Sequence, residues 1–191
     1  AHIGALAAKN ISPAQRPCFL GGGAYDHFIP SVVDYIAGRG EFYTSYTPYQ
    51  PEVSQGNVQA FFEYQTLITE LTGMPISNAS LYDGGSAAVE ACLMAVHGTG
   101  RNGRVVTAAS VHPEYRQIIE TYFKNLGIEL VTVGAPDGTV NPEDIAAALT
   151  DDTAAVLIQQ PNFFGSIEQV EEIGRLAKAR GAAYIVSVDP I

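Results

Sequence analysis

The chain has 191 residues, of which 47% are hydrophobic, and its ten basic and twenty acidic residues give a formal net charge of −10. This length and apolar content suit one ordinary globular domain. The acidity, with no basic cluster to offset it, excludes nucleic acid and an anionic membrane surface as favourable partners. No apolar run reaches the roughly 20 residues that span a bilayer, so we expect a cytoplasmic protein or one of an organelle matrix.

The cysteine pattern gives no sign of a metal site. Cys18 and Cys92 lie in unrelated contexts, and neither has the spacing of a metal ligand. We expect both to be buried, reduced thiols, and we expect no bound metal.

The two ends of the sequence indicate a fragment. The chain begins at Ala1 without an initiator methionine and stops at Ile191, directly after a predicted strand. Because a strand in a sheet normally leads into another connection, we expect this sequence to be part of a longer, truncated protein.

Residues 1–57 are predicted to form an N-terminal arm with interface loops. They are rich in glycine, proline and tyrosine and show little periodicity, apart from a short helical pattern after Pro30. Their aromatic residues are too frequent for a disordered tail. The arm should therefore pack on its own domain or on a partner subunit.

Residues 58–191 are predicted to form the N-terminal portion of an α/β domain that is incomplete at its C-terminus. The apolar pattern predicts five helices, over 58–72, 86–96, 114–126, 142–149 and 168–180, and four strands, over 104–109, 128–133, 154–158 and 183–188. This alternation favours a three-layer domain with a mostly parallel sheet and right-handed crossovers. The last strand is almost continuously apolar, which is typical of a strand buried on both faces.

Two polar features open helices near predicted strand ends, where parallel sheets bind ligands. Gly84, Gly85 and Ser86 open one helix and should present free N–H groups and a positive dipole end to an anion such as a phosphate. A plain helix N-terminus with a glycine turn is the alternative. His112 either lies over an aromatic cofactor ring or caps the helix that begins at Pro113.

Two further polar residues follow predicted strands. Asn162 lies in the loop 160–165, where it can hydrogen-bond a ligand oxygen or simply form a turn. Asp189 follows the last apolar strand. Burying a carboxylate there without a partner is costly, so a cationic ring nitrogen would suit it.

In chain order, these features match the layout of fold type I pyridoxal-phosphate enzymes: a phosphate cup, a ring-stacking residue, an asparagine loop, and an aspartate for the pyridinium nitrogen. Such an enzyme also needs a Schiff-base lysine in a loop beyond that aspartate. The three lysines are Lys9 in the arm and Lys124 and Lys178 in predicted helices. We therefore predict no catalytic residue on this chain.

Seven segments carry a resemblance to a known family: Phe19–His27, Tyr43–Gly56, Phe61–Gln65, Asn78–Gly84, Val111–Arg116, Gln160–Gly165 and Val188–Ile191. They resemble the subunit 1, or alpha, type of glycine dehydrogenase (decarboxylating), the P-protein of the glycine cleavage system. The resemblance extends over nearly the whole chain. Its most specific part is the run Tyr-Thr-Pro-Tyr-Gln-Pro-Glu-x-Ser-Gln-Gly that ends at Gly56.

The resemblance implies the large domain of a fold type I pyridoxal-phosphate transferase, and part of an enzyme that decarboxylates glycine and passes the aminomethyl group to the lipoyl group of H-protein. In this family the lysine-bound cofactor belongs to the second half or to a separate subunit 2. Pyridoxal phosphate should then be bound by that partner, and the isolated fragment should be inactive.

The same resemblance assigns roles to two groups of residues. The cofactor contacts on this chain would be vestigial: Gly84, Gly85, Ser86, His112, Asn162 and Asp189. The residues implied to lie at the subunit interface, near the partner's site, are Tyr49, Gln50, Glu52, Ser54 and Gln55, together with Gly21–Gly23.

Two other interpretations stay open. The chain could be a truncated stand-alone aminotransferase or decarboxylase of fold type I, with its lysine and small domain beyond Ile191. It could also be a non-catalytic scaffold half that only stabilises and regulates a partner.

Overall fold

The computed structural model describes residues 1–19, 21–43, 45–46 and 49–191. Leu20, Thr44, Thr47 and Pro48 lie outside the described residues, and so do the parts of the resembling segments that contain them. The chain forms two compact units, one of residues 1–26 and 82–189, the other of residues 27–81 and 190–191. The predicted arm boundary at residue 57 stays a prediction.

The chain contains both short and long helices. In chain order they are α1 (His2–Ala7), α2 (Ser31–Ala37), α3 (Gly40–Tyr43), α4 (Gln55–Thr72), α5 (Gly84–Thr99), α6 (Pro113–Phe123), α7 (Pro142–Ala148) and α8 (Val170–Ala179). The strands are β1 (Arg104–Ala108), β2 (Glu129–Val133), β3 (Thr153–Gln160) and β4 (Ala183–Val188). Among the described residues, no helix is both long and apolar enough to cross a lipid bilayer.

The helices and strands predicted beyond residue 57 are confirmed, and so is the short helix after Pro30. The helix ends could be predicted because capping residues mark them. Gly73 ends α4 in the left-handed conformation, with φ of 69°, and its N–H donates to Thr69 O. Asn141 Oδ1 caps α7 by accepting the N–H of Glu143 at 3.0 Å. The sequence pattern missed α1 and α3, which have six and four residues and so offer too few positions for a period to show.

The sheet has the strand order β2-β1-β3-β4, and all its strands are parallel. The chain moves in one direction from β1 to β2 and in the opposite direction from β2 to β3 and on to β4. Right-handed crossovers then place α6 on one face and α7 and α8 on the other. In agreement, α5 packs against α6, and α7 packs against α8. The predicted three-layer α/β architecture is confirmed.

The core is centred on β3, which is buried from Thr153 to Gln159. Within these 191 residues, the last strand is less buried than predicted. Residues 183–187 of β4 are half-buried and Val188 is exposed. The reason is position: within the described chain, β4 pairs only with β3 and forms an edge of this sheet, so its apolar run reflects strand propensity as well as burial.

The two cysteines differ in environment. Cys92 is buried in α5, and desolvation raises the pKa of its thiol to about 12. Cys18 is exposed, so the expectation of a buried thiol is wrong there. It lies in the stretch 1–19, in which every residue is exposed, so no core is available to cover it. Both thiols are free.

Helix α8 approaches β4 closely at Gly174. A Cβ atom on Gly174 would lie 2.8 Å from Cε1 of Tyr184, and the Tyr184 hydroxyl donates to Val170 O at 2.7 Å, which fixes the ring. We therefore expect Gly174→Ala to lower the free energy of unfolding by about 1–2 kcal/mol through overpacking. Urea unfolding of the full-length chain would measure it.

Gly98→Ala is the matched control. Gly98 lies in α5 and is exposed, and a Cβ atom on it would meet nothing within 4 Å. The change should leave stability equal or raise it by up to about 1 kcal/mol, because alanine is the better helix former. Equal unfolding midpoints for the two variants would contradict the close approach of α8 to Tyr184.

Candidate functional site

The strand order reverses between β1 and β3, since β1 leads to a neighbour on one side and β3 to a neighbour on the other. Parallel sheets bind ligands in the crevice at such a point, outside the carboxyl ends of the strands. The loop after β1 carries His112, and the loop after β3 carries Asn162. The sequence therefore directs attention to the correct edge of the sheet.

The glycine pair at the start of α5 permits close packing of two helices. A Cβ atom on Gly84 would overlap the hydroxyl and ring of Tyr115, and one on Gly85 would overlap Cδ1 of Ile118. Both contacting side chains belong to α6. The Tyr115 hydroxyl consequently lies against the first turn of α5.

Asp83 caps the N-terminus of α5. Its Oδ1 accepts the N–H of Ser86 at 2.6 Å. Hydrogen bonds from the backbone and then the side chain of Ser86 lower the pKa of this carboxyl group. The plain helix N-terminus is thus confirmed, and the Ser86 N–H, expected to be free, is used within the chain. Asp83 thus places a negative charge at the helix N-terminus, where an anion would also be stabilised.

His112 caps α6, which confirms the capping alternative. Its Nδ1 accepts the N–H of Glu114 at 3.2 Å, and its own backbone N–H donates to Oε1 of Gln159 at 2.8 Å. The imidazole stacks on Tyr115, with ring centroids 4.7 Å apart, and meets the ring of Phe163 edge-on at 4.9 Å. The ring therefore already has aromatic partners from this chain on two sides.

Asn162 is fully buried and builds the turn after β3. Its Oδ1 accepts the N–H groups of Phe164 and Ser166, both at 3.0 Å. Its Nδ2 donates to Gly138 O and to Oε1 of Glu168, both at 2.7 Å. The turn alternative is confirmed, and both amide hydrogens and the carbonyl oxygen have partners within the chain.

Glu168 is a key residue that sequence reasoning missed. It is 4% exposed, and its carboxylate accepts hydrogen bonds from Ser110 Oγ at 2.6 Å, Asn162 Nδ2 at 2.7 Å and the Val140 N–H at 3.0 Å. These donors lie in the loops after β1, β3 and β2. Exposed acidic residues are common at helix N-termini. The sequence therefore gives no sign that the Glu168 carboxylate is buried.

Asp189 lies half-buried directly after β4, and its N–H donates to Gln160 O at 3.1 Å. Its neighbour from the N-terminal segment is Tyr25, whose hydroxyl lies 3.5 Å from Pro161 O. Partial burial, and then the negative charge of Asp189, raise the pKa of the Tyr25 phenol. The Asp189 carboxylate is therefore close to a phenol of its own chain.

The predicted interface residues belong to the second unit. A cavity of about 540 Å³ in this unit is lined by Gln50, Ser54 and Gln55, together with Glu41 and aromatic side chains. The Ser54 hydroxyl donates to Gln50 O at 3.3 Å. The two remaining predicted residues, Tyr49 and Glu52, are exposed, Tyr49 by 87%.

The structure brings part of the predicted set together. Gly84, His112 and the turn at Asn162 form one connected cluster through the side chains of Tyr115 and Phe163, while the loop 49–55 belongs to the other unit. Within the described ranges, no three His, Cys, Asp or Glu side chains are grouped to hold a metal ion.

The lysines lie away from this cluster. Lys124 follows the last residue of α6, and Lys178 lies in the last turn of α8. Both helices begin near the carboxyl ends of the strands and run back, which puts their C-termini at the opposite edge of the sheet. Lys9 is exposed just after α1.

Comparison with known proteins assigns the chain to a protein family. A family model described as glycine cleavage system P-protein matches residues 1–191. The chain is 57% identical over 185 residues to the probable glycine dehydrogenase (decarboxylating) subunit 1 of Geotalea uraniireducens, with 96% of this chain and 42% of that protein covered. It is 55% identical over 190 residues to the protein of the same name from Carboxydothermus hydrogenoformans, with 100% and 43% covered. It thus spans less than half the length of these curated relatives.

Solved structures give the same result. The crystal structure of glycine decarboxylase (P-protein) of the glycine cleavage system in inhibitor-bound form matches with a TM-score of 0.82 and 43% identity, covering 99% of this chain and 42% of that one. A cysteine desulfurase from Thermococcus onnurineus matches with a TM-score of 0.52 and 22% identity, covering 70% of this chain and 34% of that one. The second match supports the fold alone.

The capping role of Asp83 predicts a pH-dependent effect. Asp83→Ala should lower stability at pH 7, because the Ser86 N–H and the helix dipole lose their carboxylate. The folded pKa lies below the unfolded value of about 3.9, so this contribution is fully present above that value and is lost as the pH falls through the folded pKa. Urea midpoints of the two proteins, measured from pH 7 to pH 3, should differ less at pH 3 than at pH 7, because protonated Asp83 loses the charge contribution but can still accept the Ser86 N–H.

Asp83→Asn separates charge from capping, since asparagine is an equally good cap. It should stay close to the wild type in stability and lose the pH dependence from this position. A deficit of Asp83→Ala that is constant from pH 7 to pH 3 would argue against the charged cap.

Proposed function

This chain belongs to the glycine cleavage system P-protein family, and on that premise we propose that it is part of subunit 1 of glycine decarboxylase. The proposed enzyme removes CO₂ from glycine and transfers the aminomethyl group to the lipoyl group of H-protein, whose disulfide accepts the electrons. The observation that carries this proposal is the high identity to subunit 1 proteins over nearly the whole chain. The predicted fold type I large domain is confirmed.

We propose that pyridoxal phosphate in this enzyme is held by the second subunit. The cofactor supplies, when bound, the electron sink for the loss of CO₂. On this chain the residues proposed as vestigial cofactor contacts are Gly84, Gly85, Ser86, His112, Asn162 and Asp189. Their internal partners support this view, because the Asp83 cap, the His112 ring stack and the buried Asn162 amide leave few groups for a ligand.

The three lysines of these 191 residues are not placed for a Schiff base. A Schiff base requires a lysine whose amine reaches the carboxyl ends of the strands. Lys124 and Lys178 lie at helix C-termini on the other edge of the sheet, and Lys9 is exposed in the N-terminal stretch. Under the proposed assignment, these residues contribute structure and contacts to the reaction, while the covalent chemistry takes place on subunit 2.

We further propose that the loop containing Tyr49, Gln50, Glu52, Ser54 and Gln55 faces the partner's site. None of the described residues of the second unit is buried, and aromatic residues such as Tyr46 and Tyr49 are 71% and 87% exposed. Exposed aromatic clusters are typical of protein interfaces. The amide and hydroxyl groups around the cavity can hydrogen-bond polar groups of a partner or of a small substrate.

Reconstitution tests the proposed function. Full-length subunit 1 purified alone should show no cofactor absorbance, no adduct after borohydride reduction with pyridoxal phosphate, and no exchange of the glycine carboxyl group with bicarbonate. Adding subunit 2 should restore that exchange. The 191-residue chain alone should be inactive as well.

Two outcomes would contradict parts of this proposal. A phosphopyridoxyl adduct formed selectively at Lys124 or Lys178, identified by peptide mass analysis, would place the cofactor on this chain. A subunit 2 that is fully active alone and unchanged by subunit 1 would leave only the scaffold interpretation.

Two single tyrosine substitutions test whether the loop containing Tyr49 contacts the partner. Tyr49→Ala should raise the concentration of subunit 1 that gives half-maximal exchange activity by about tenfold, the scale of losing an aromatic interface contact. Tyr122→Ala is the control, because Tyr122 is 48% exposed near the C-terminal end of α6, at the opposite edge of the sheet. Equal effects of both changes would argue against a specific role for the loop.

A further inference from the structure

The chain's own N-terminal segment lies against the end of β3 and the turn that follows it. We propose that Gly21–Tyr25, termed the strap, closes this ligand edge of the sheet, with Gly21 anchored on the turn Phe163–Gly165 and Tyr25 inserted beside Asp189. All of these residues belong to the first unit. The proposal concerns this chain's own crevice and does not depend on the reaction that the assembled enzyme performs.

The anchor of the strap requires glycine for two reasons. Gly21 has a φ of 68°, in the left-handed region that glycine tolerates best. A Cβ atom there would also overlap the carbonyl oxygen of Phe163 and lie 2.6 Å from the backbone nitrogen of Gly165. The next residue fixes the contact, since the Gly22 N–H donates to Phe163 O at 2.8 Å.

The turn that receives the strap is itself rigidly held. The Phe163 N–H donates to Ser110 O at 2.8 Å, which joins the turn to the loop after β1. The buried side chain of Asn162 joins the same turn to Glu168. Breaking a satisfied buried network is costly, so the turn provides a fixed support for the strap.

Beyond its anchor, the strap lies against the end of β3. A Cβ atom on Gly23 would lie 3.9 Å from Nε2 of Gln159, the buried residue near the end of β3. Tyr25 is half-buried, and its hydroxyl lies 3.5 Å from the carbonyl oxygen of Pro161, the residue after β3. Partial burial and the negative charge of Asp189 raise the pKa of the Tyr25 phenol, which agrees with the place of the ring beside that carboxylate.

The crevice at the reversal of strand order is therefore closed from within. The loops after β1 and β3 meet through His112 and Phe163, and the strap lies on the turn beside them. A ligand can approach the Asp189 carboxylate from the strap side only after the Gly22 to Phe163 hydrogen bond breaks and Tyr25 leaves. The strap thus makes access to Asp189 depend on a local opening of the N-terminal segment.

Chemical labelling of the assembled full-length enzyme tests the strap. Carbodiimide-driven coupling of glycine ethyl ester to carboxyl groups would be followed by peptide mass analysis, and the Asp189 rate would be divided by that of exposed Asp26. Gly21→Ala should raise this ratio about tenfold, because local opening becomes more frequent. Gly22→Ala should raise it less than Gly21→Ala does, since Gly22 shares the left-handed conformation but a Cβ atom on it would meet nothing within 4 Å, so the difference between the two variants reports the overlap with the turn.

A second variant guards against a folding defect in Gly21→Ala. Tyr25→Ala removes the inserted ring but leaves the anchor intact, and it should raise the ratio to a similar extent. An unchanged ratio in both Gly21→Ala and Tyr25→Ala would overturn the proposal, and so would wild-type Asp189 that reacts as fast as Asp26. Glycine turnover plays no part in the readout, so a failure of the proposed function would leave the result interpretable.

Discussion

The buried carboxylate of Glu168 is the interaction on which the ligand edge of this sheet depends. A charged group can be buried only when hydrogen bonds replace its lost hydration. Glu168 meets this requirement with donors from Ser110, Val140 and Asn162, one from each loop that follows β1, β2 and β3. The cost of burying the charge is therefore offset only when all three loops are in place, which makes their arrangement cooperative.

This arrangement explains why few polar groups at the carboxyl ends of the strands are available to a ligand. With the loops held together, His112 reaches Phe163, and Tyr115 fits over the glycine pair that starts α5. Asp83 supplies the negative charge at the helix N-terminus that a phosphate supplies in a binding site. An edge filled by its own residues supports the proposal that the cofactor is held by the second subunit.

Sequence reasoning could locate this site but not describe it. His112 and Asn162 were identifiable because parallel sheets bind ligands at strand ends, and strand ends can be read from apolar runs and glycines. Whether each side chain faces a ligand or caps and turns its own backbone depends on partners distant in the chain. The contacts of Tyr115 with Gly84 and of Tyr25 near Asp189 leave no local pattern.

The sequence by itself determined the order of helices and strands, the parallel α/β class and the family, because propensity, capping and specific segments are local properties. Only the tertiary structure decided that β4 pairs with β3, that Cys18 is exposed, and that Glu168 joins three loops. These features depend on contacts between residues that are distant in the sequence, and only the packing of the folded chain determines those contacts. The position of the crevice follows from local patterns at strand ends. Its filling follows from contacts between residues that are distant in the chain.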